Sequence, residues 1–123
     1  VVQRLGSLRA ATPALQTGYA AFFAPAHEVI GVLRFCLDGQ DAFGEAAEDG
    51  TYLVLCNRDE VDQELTVDLR QPFPGLDEPV LARLRAEPYA VAENVFSAAV
   101  APVEEGKVTL TLPAEDFAVY RVR

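Results

Sequence analysis

Residues 62–69, Asp62-Gln63-Glu64-Leu65-Thr66-Val67-Asp68-Leu69, alternate polar and apolar side chains, and that alternation decides the class of fold. A β-strand turns successive side chains to opposite faces, so Leu65, Val67 and Leu69 share one face and are expected to point inward. The same reading extends in both directions. Upstream, residues 51–57 (Thr-Tyr-Leu-Val-Leu-Cys-Asn) are apolar on both faces, as expected of a central strand covered on both sides. Residues 28–38 form a long strand rich in β-branched and aromatic residues. Residues 18–24 form a first strand, expected to end at Pro25. The segment 39–50 holds three glycines and the acids Asp41, Glu45, Glu48 and Asp49, and reads as an exposed loop.

Downstream, Pro72, Pro74 and Gly75 break the chain. Residues 79–85 (Pro-Val-Leu-Ala-Arg-Leu-Arg) are expected to be a fifth strand. A short strand is expected near 98–103. Residues 107–112 and 117–122 are two more, linked by Pro113 and the acidic turn Glu115-Asp116. Seven or eight short strands spaced by turn signals predict an all-β fold, an antiparallel β-sandwich with Greek-key links. No helical pattern separates consecutive strands, which argues against a parallel α/β sheet.

The first twelve residues differ. Val1, Leu5, Leu8 and Thr12 recur at a spacing of three to four, so 1–12 reads as the tail of a helix. Pro13 stops it, because proline clashes with the preceding turn and lacks the N–H. One short helix cannot bury its stripe alone, so something must cover Leu5 and Leu8. The division that follows is a helix plus linker over 1–14 and a sandwich over 15–123. The chain opens on Val1 and contains no Met, and is therefore read as a piece of something longer or as a processed chain.

The 123 residues are half apolar, enough for one domain with a core and far from a disordered composition. No apolar stretch approaches the roughly 18 to 20 residues of a membrane span, and no basic start leads into a secretory h-region, so a soluble chain is expected, in the cytoplasm or, as the alternative, in an extracellular parent enzyme. Nineteen acids against ten bases give a net charge of −9, which repels nucleic acid and anionic membranes. Residues 41–78 hold eleven of the acids and only Arg58 and Arg70 as bases, and read as a solvated face. A calcium loop would need oxygen ligands at alternate positions. The run Asp59-Glu60-Val61-Asp62-Gln63-Glu64 puts Val61 at one of them, and Asp38-Gly39-Gln40-Asp41 is turn chemistry first. No metal and no cofactor is expected.

Catalysis needs an acid with a base, a nucleophile with a base, or three metal ligands. His27 is the sole histidine and stands at a strand entry, read as a turn residue. Cys36 and Cys56 each lie inside an apolar run and read as small core residues on neighbouring strands, with a disulfide between them as the alternative. No phosphate-cradling glycine motif and no Cys-x-x-Cys is present. The acids are scattered over loops and strand faces rather than paired about a cleft, as glycoside hydrolysis would require. No catalytic residue is therefore assigned. The aromatic residues leave one further possibility, a flat platform for a sugar ring. There is no Trp, and most of the four Tyr and seven Phe sit inside strands. Tyr19, near a strand edge, and Tyr89, in an irregular stretch, are the carbohydrate-binding candidates.

Three segments in order carry a resemblance. Arg4-Leu5-Gly6-Ser7-Leu8-Arg9, followed by Thr12-Pro13-Ala14-Leu15-Gln16-Thr17-Gly18, resembles the end of the barrel domain in α-amylase-type enzymes, glycoside hydrolase family 13. Val29-Ile30-Gly31-Val32-Leu33-Arg34-Phe35, and then Thr51-Tyr52-Leu53-Val54-Leu55-Cys56-Asn57-Arg58, are similar to two strands of that family, the second an apolar run ending in Asn. Gly106 to Pro113, before Phe117-Ala118-Val119-Tyr120, looks like its close. Cys36 and Cys56 stand where that pattern has aliphatic residues, and 86–105 has no counterpart in it. The resemblance implies that 1–12 is the last helix of a (β/α)₈ barrel and that the rest is the C-terminal sandwich behind it. Asn57-Arg58-Asp59-Glu60 looks most like neopullulanase and cyclomaltodextrinase relatives. The family's catalytic acids would lie upstream of Val1, so none is carried over.

The function implied is a non-catalytic domain that packs on, and stabilises, the catalytic barrel of an α-glucan-acting glycosidase. Its partner would be that barrel, with α-glucan a further possible one. The alternatives are a starch- or maltooligosaccharide-binding module and an unrelated immunoglobulin-like interaction domain, although the Trp of true immunoglobulin cores is missing.

Overall fold

The computed structural model describes residues 18–26, 28–37, 39–40, 42–47 and 49–123. The helix expected over 1–12, the boundary at residue 14, and the turn readings of His27, Asp38 and Asp41 lie outside the described residues. Among those described, eight strands and one helix form a two-layered β-sandwich. The strands are β1 (Tyr19–Ala26), β2 (Val29–Cys36), β3 (Gly50–Asn57), β4 (Gln63–Asp68), β5 (Val91–Asn94), β6 (Val100–Pro102), β7 (Lys107–Leu112) and β8 (Phe117–Val122). The helix, α1 (Glu78–Ala86), falls between β4 and β5. The larger sheet has the order β1-β2-β3-β8-β5-β6, and β4 pairs with β7 in the smaller one. All pairings are antiparallel.

The chain crosses to the small sheet after β3, returns for β5 and β6, crosses again as β7 and comes back as β8 beside β3. The interlocked pairs β3–β8 and β4–β7 supply the crossing links expected of a Greek-key sandwich. Alternation sets the core. Leu65 and Val67 of β4, with Val108, Leu110 and Leu112 of β7, are buried and face the large sheet, as the sequence predicts. From the large sheet come Leu33, Phe35, Leu53 and Leu55, none of which is exposed at all. Gly31 lies in the same face because the Phe23 ring crosses over it; a Cβ there would come within 2.7 Å of that ring. Phe23 in turn meets the buried Phe73 edge to face at 5.4 Å.

Three expectations need correction. Residues 79–85 are not a strand but most of α1. Asp77 stands at its N-cap, Pro79 in its first turn, and Arg83 and Arg85 in its last, all positions that favour a helix start and stop. Leu81 and Leu84, three apart, turn to the core and are buried. Pro25 does not end β1. An edge strand tolerates a proline, and the register simply slips between Phe23 and Ala26. Cys56 is exposed rather than in the core, because alternation turns it away from the inward Leu53 and Leu55. Cys36 is buried as expected, and the two are not joined by a disulfide. Their strands are neighbours, but Cys36 pairs with Gly50 and Cys56 with Ile30, at opposite ends of the ladder.

Candidate functional site

Tyr19 and Tyr89 fall at the same end of the large sheet. Tyr19, Phe35, Thr51 and Val122 form one cross-strand row on its inner face. The Tyr19 ring stacks on that of Phe35, with centroids 5.3 Å apart and planes 23° from parallel. Tyr89 follows α1, and its hydroxyl is hydrogen-bonded to that of buried Thr51 at 2.6 Å. Burial pushes the Tyr89 phenol up to about 12, since it disfavours the phenolate; the bond to Thr51 opposes that rise and the nearby Glu87 adds to it. Both rings are half-buried and pack against the core. Tyr52 is half-buried and Tyr120 buried, so none of the four tyrosines stands as an open platform. The strongly exposed aromatic rings are Phe22 at 65% and Phe43 at 78%.

A groove of about 250 Å³ opens beside Tyr89, with Asp49, Glu87, Arg121 and Arg123 on its walls. Cys36, Thr51 and Tyr89 also line it, with the Thr51 and Tyr89 hydroxyls bonded to each other. A second groove of about 330 Å³ lies at the other end of β3, between Cys56, Arg58, Glu115 and Phe117. Among the described residues no three His, Cys, Asp or Glu side chains are grouped as metal ligands, and no helix is long and apolar enough to cross a membrane.

The acidic turn after β3 is structural. Asp59 accepts from the backbone of Glu60 at 2.7 Å and from the Gln63 amide at 2.8 Å, and Asp62 accepts from the backbone of Ala114 at 2.9 Å. At its root is Asn57, which is 1% exposed. Its amide Nδ2 donates to the carbonyls of Val61, Leu112 and Pro113 at 3.0, 3.3 and 3.2 Å, and its Oδ1 accepts from the backbone N–H of Asp59 at 3.0 Å. One side chain thus ties the end of β3, the entry to β4 and the end of β7. Sequence reasoning registered Asn57 only as the end of an apolar run. Its partners in β7 and the following turn are more than fifty residues away, which no local pattern reveals.

No known family's sequence profile matches the chain, and no curated protein sequence does. Solved structures do match. A structure described as an Anoxybacillus α-amylase, offered as a new glycosyl hydrolase subclass, aligns over 98% of this chain with a TM-score of 0.62 and 18% identity. A variant of AmyP in complex with maltotriose aligns over 99% of this chain with a TM-score of 0.67 and 12% identity. The chain spans only 21% and 20% of the two proteins. At such low identity the likeness is one of fold: this chain has the fold of one segment, about a fifth in length, of α-amylase structures.

Proposed function

We propose, from that shared fold, that this chain is the non-catalytic β-domain of an α-glucan-acting glycosidase, packing against a larger catalytic domain and stabilising it. The observation that supports this most is the extent of the match. The whole chain aligns with a fifth of an amylase, as a self-contained domain within a larger enzyme would. The hydrogen bonds of Asn57, Asp59 and Asp62 among the described residues support it too, since they are spent on the turn that links β3, β4 and β7. The Asn57-Arg58-Asp59-Glu60 turn favours a neopullulanase- or cyclomaltodextrinase-like parent cutting α-1,4 or α-1,6 linkages. The cytoplasm is the proposed compartment.

The competing reading makes the chain a maltooligosaccharide-binding module that works through Tyr19 and Tyr89. It requires their ring faces to be reachable, whereas both rings pack on the core. An amide chemical-shift titration with maltoheptaose and β-cyclodextrin, with cellohexaose as control, separates the two. Absence of shifts at millimolar sugar is the expected result. Saturable shifts around Tyr19 and Tyr89 with the α-glucans alone would replace the stabilising role by sugar binding. The stabilising role is tested in the parent enzyme: removing this domain is expected to shorten its thermal half-life, and an unchanged half-life would overturn it.

A further inference from the structure

The groove beside Tyr89 keeps donors in reserve once its internal pairings are subtracted. Its acids are engaged. Asp49 Oδ1 accepts from the backbone N–H of Gly39 at 2.7 Å, and Glu87 lies 3.6 Å from Arg83, one turn earlier in the chain. Of its two arginines, Arg123 lies 3.7 Å from Glu93. Arg121 is exposed and makes no ion pair or side-chain hydrogen bond among the described residues. Its guanidinium is a planar fork of N–H donors, shaped for a carboxylate.

The hydroxyl pair holds a second reserve. Thr51 and Tyr89 carry one O–H proton each, and the single bond between them uses one. The other has no acceptor among the described residues, whichever oxygen carries it. Thr51 is 4% exposed and Tyr89 half-buried, and both line the groove, so an acceptor placed there meets that proton. By register Val122 lies opposite Thr51 and Arg121 opposite Tyr52. Arg121 and Thr51 therefore point to opposite faces of the sheet, yet both line the groove, which runs round the end of the sheet. A ligand that reaches both reserves needs two separate acceptors on one body.

Size and charge narrow the class. About 250 Å³ is the liquid volume of roughly eight water molecules, which limits the body to a handful of heavy atoms. Leu37, Pro88 and Val122 give that body an apolar wall. Asp49 and Glu87 balance Arg121 and Arg123, so the walls are close to neutral within a chain of net charge −9. One negative charge is matched by Arg121, whereas a second would meet the two carboxylates.

We propose that this groove binds a short hydroxy monocarboxylate, its carboxylate on the Arg121 guanidinium and its hydroxyl oxygen on the unspent O–H of the Thr51–Tyr89 pair. The site is the domain's own and does not rest on the glycosidase reading. It is tested by amide chemical-shift titrations of the full chain with sodium 3-hydroxybutyrate, sodium butyrate and inorganic phosphate at constant ionic strength. Saturable shifts at Gly50, Thr51, Tyr89 and Arg121 are expected with millimolar 3-hydroxybutyrate. Butyrate should bind about three- to tenfold more weakly, for want of one hydrogen bond. Absence of shifts at these residues would overturn the site, equal affinity for the two acids would overturn the hydroxyl contact, and phosphate binding as tightly would overturn the monocarboxylate class. Arg121→Gln, at an exposed position, should leave the rest of the spectrum in place and weaken both acids at least about tenfold. Unchanged affinity in that variant would overturn the role of Arg121. Tyr89→Phe should erase the preference for 3-hydroxybutyrate while butyrate still binds; a preference that survives would overturn the role of the hydroxyl pair.

Discussion

The two faces of the six-stranded sheet are written in nearly the same alphabet and meet different fates. Leu33, Phe35, Leu53 and Leu55 on the inner face are sealed by β4, β7, α1 and Phe73, whereas Phe22 and Ile30 on the outer face stand largely in the open. Strand β3 carries both faces in eight residues, with Thr51, Leu53, Leu55 and Asn57 buried and Tyr52, Val54 and Cys56 turned the other way. Strand alternation assigns side chains to faces; it does not say which face the rest of the chain will cover. Cover comes from connectivity, here from the two crossings that place β4 and β7 on one side only.

The comparison can be broken most forcefully from the inner side. Leu53→Ala or Phe35→Ala should lower unfolding free energy by about 2–5 kcal/mol, because neither site can collapse within a packed sandwich. Ile30→Ala on the outer face, nearly half exposed, should cost about 0.5 kcal/mol or less in the same urea titrations followed by circular dichroism. Comparable losses at the two positions would mean that the two faces are equally covered. Next in size is Asn57→Ala, which withdraws four hydrogen bonds at a buried corner and strands carbonyls of β7 and its turn. A loss of about 2–3 kcal/mol is expected from the same measurement. Gly31→Ala should cost about 1–3 kcal/mol through overpacking against Phe23. Pairing it with Phe23→Leu should recover part of the loss. A failure to recover any would mean that the ring is not what Gly31 accommodates.

Much of the inner face was legible before the fold was known. The alternation of 64–69 and of 107–112 gives two strands, and these pair residue for residue from Gln63–Leu112 to Asp68–Lys107. What misled was a segment satisfying two periods at once. In 79–85, Val80, Ala82 and Leu84 alternate like a strand, while Leu81 and Leu84 are spaced like a helix. The tie is broken by Asp77 and Pro79 at the start and the arginines at the end, an N-to-C asymmetry that a strand does not have. Strand β5 escaped notice for the opposite reason. Val91-Ala92-Glu93-Asn94 has little strand character of its own and is held by pairing with β8 and β6. Of the candidate sugar contacts, the positions of Tyr19 and Tyr89 near strand ends could be read from sequence. Their partners could not: Thr51 is 38 residues from Tyr89, and the link between them is a hydroxyl pair that leaves no periodic trace.

That hydroxyl pair provides the finest test, because it sits where the inner face meets solvent. Tyr89→Phe keeps the ring and removes the bond, so at neutral pH it should cost only about 1 kcal/mol, the loss of one hydrogen bond with a buried Thr51 left behind. The pH dependence distinguishes the bond from the ring. In the folded chain the Tyr89 phenol is held up at about 12, against an ordinary value of 10.0. The folded state therefore keeps its proton where the unfolded state has released it, and unfolding gains ground as pH rises. The stability due to Tyr89 is intact below pH 10 and falls away between 10 and 12. Burial also raises Tyr120, so some of this alkaline decline belongs to it. Tyr89→Phe should flatten the decline between pH 10 and 12 without removing it. Tyr120→Phe should leave the Tyr89 portion in place. A decline unaltered by Tyr89→Phe would mean that its hydroxyl is open to solvent, and the end of the sheet would then offer a sugar the accessible ring that the packing around Tyr89 argues against.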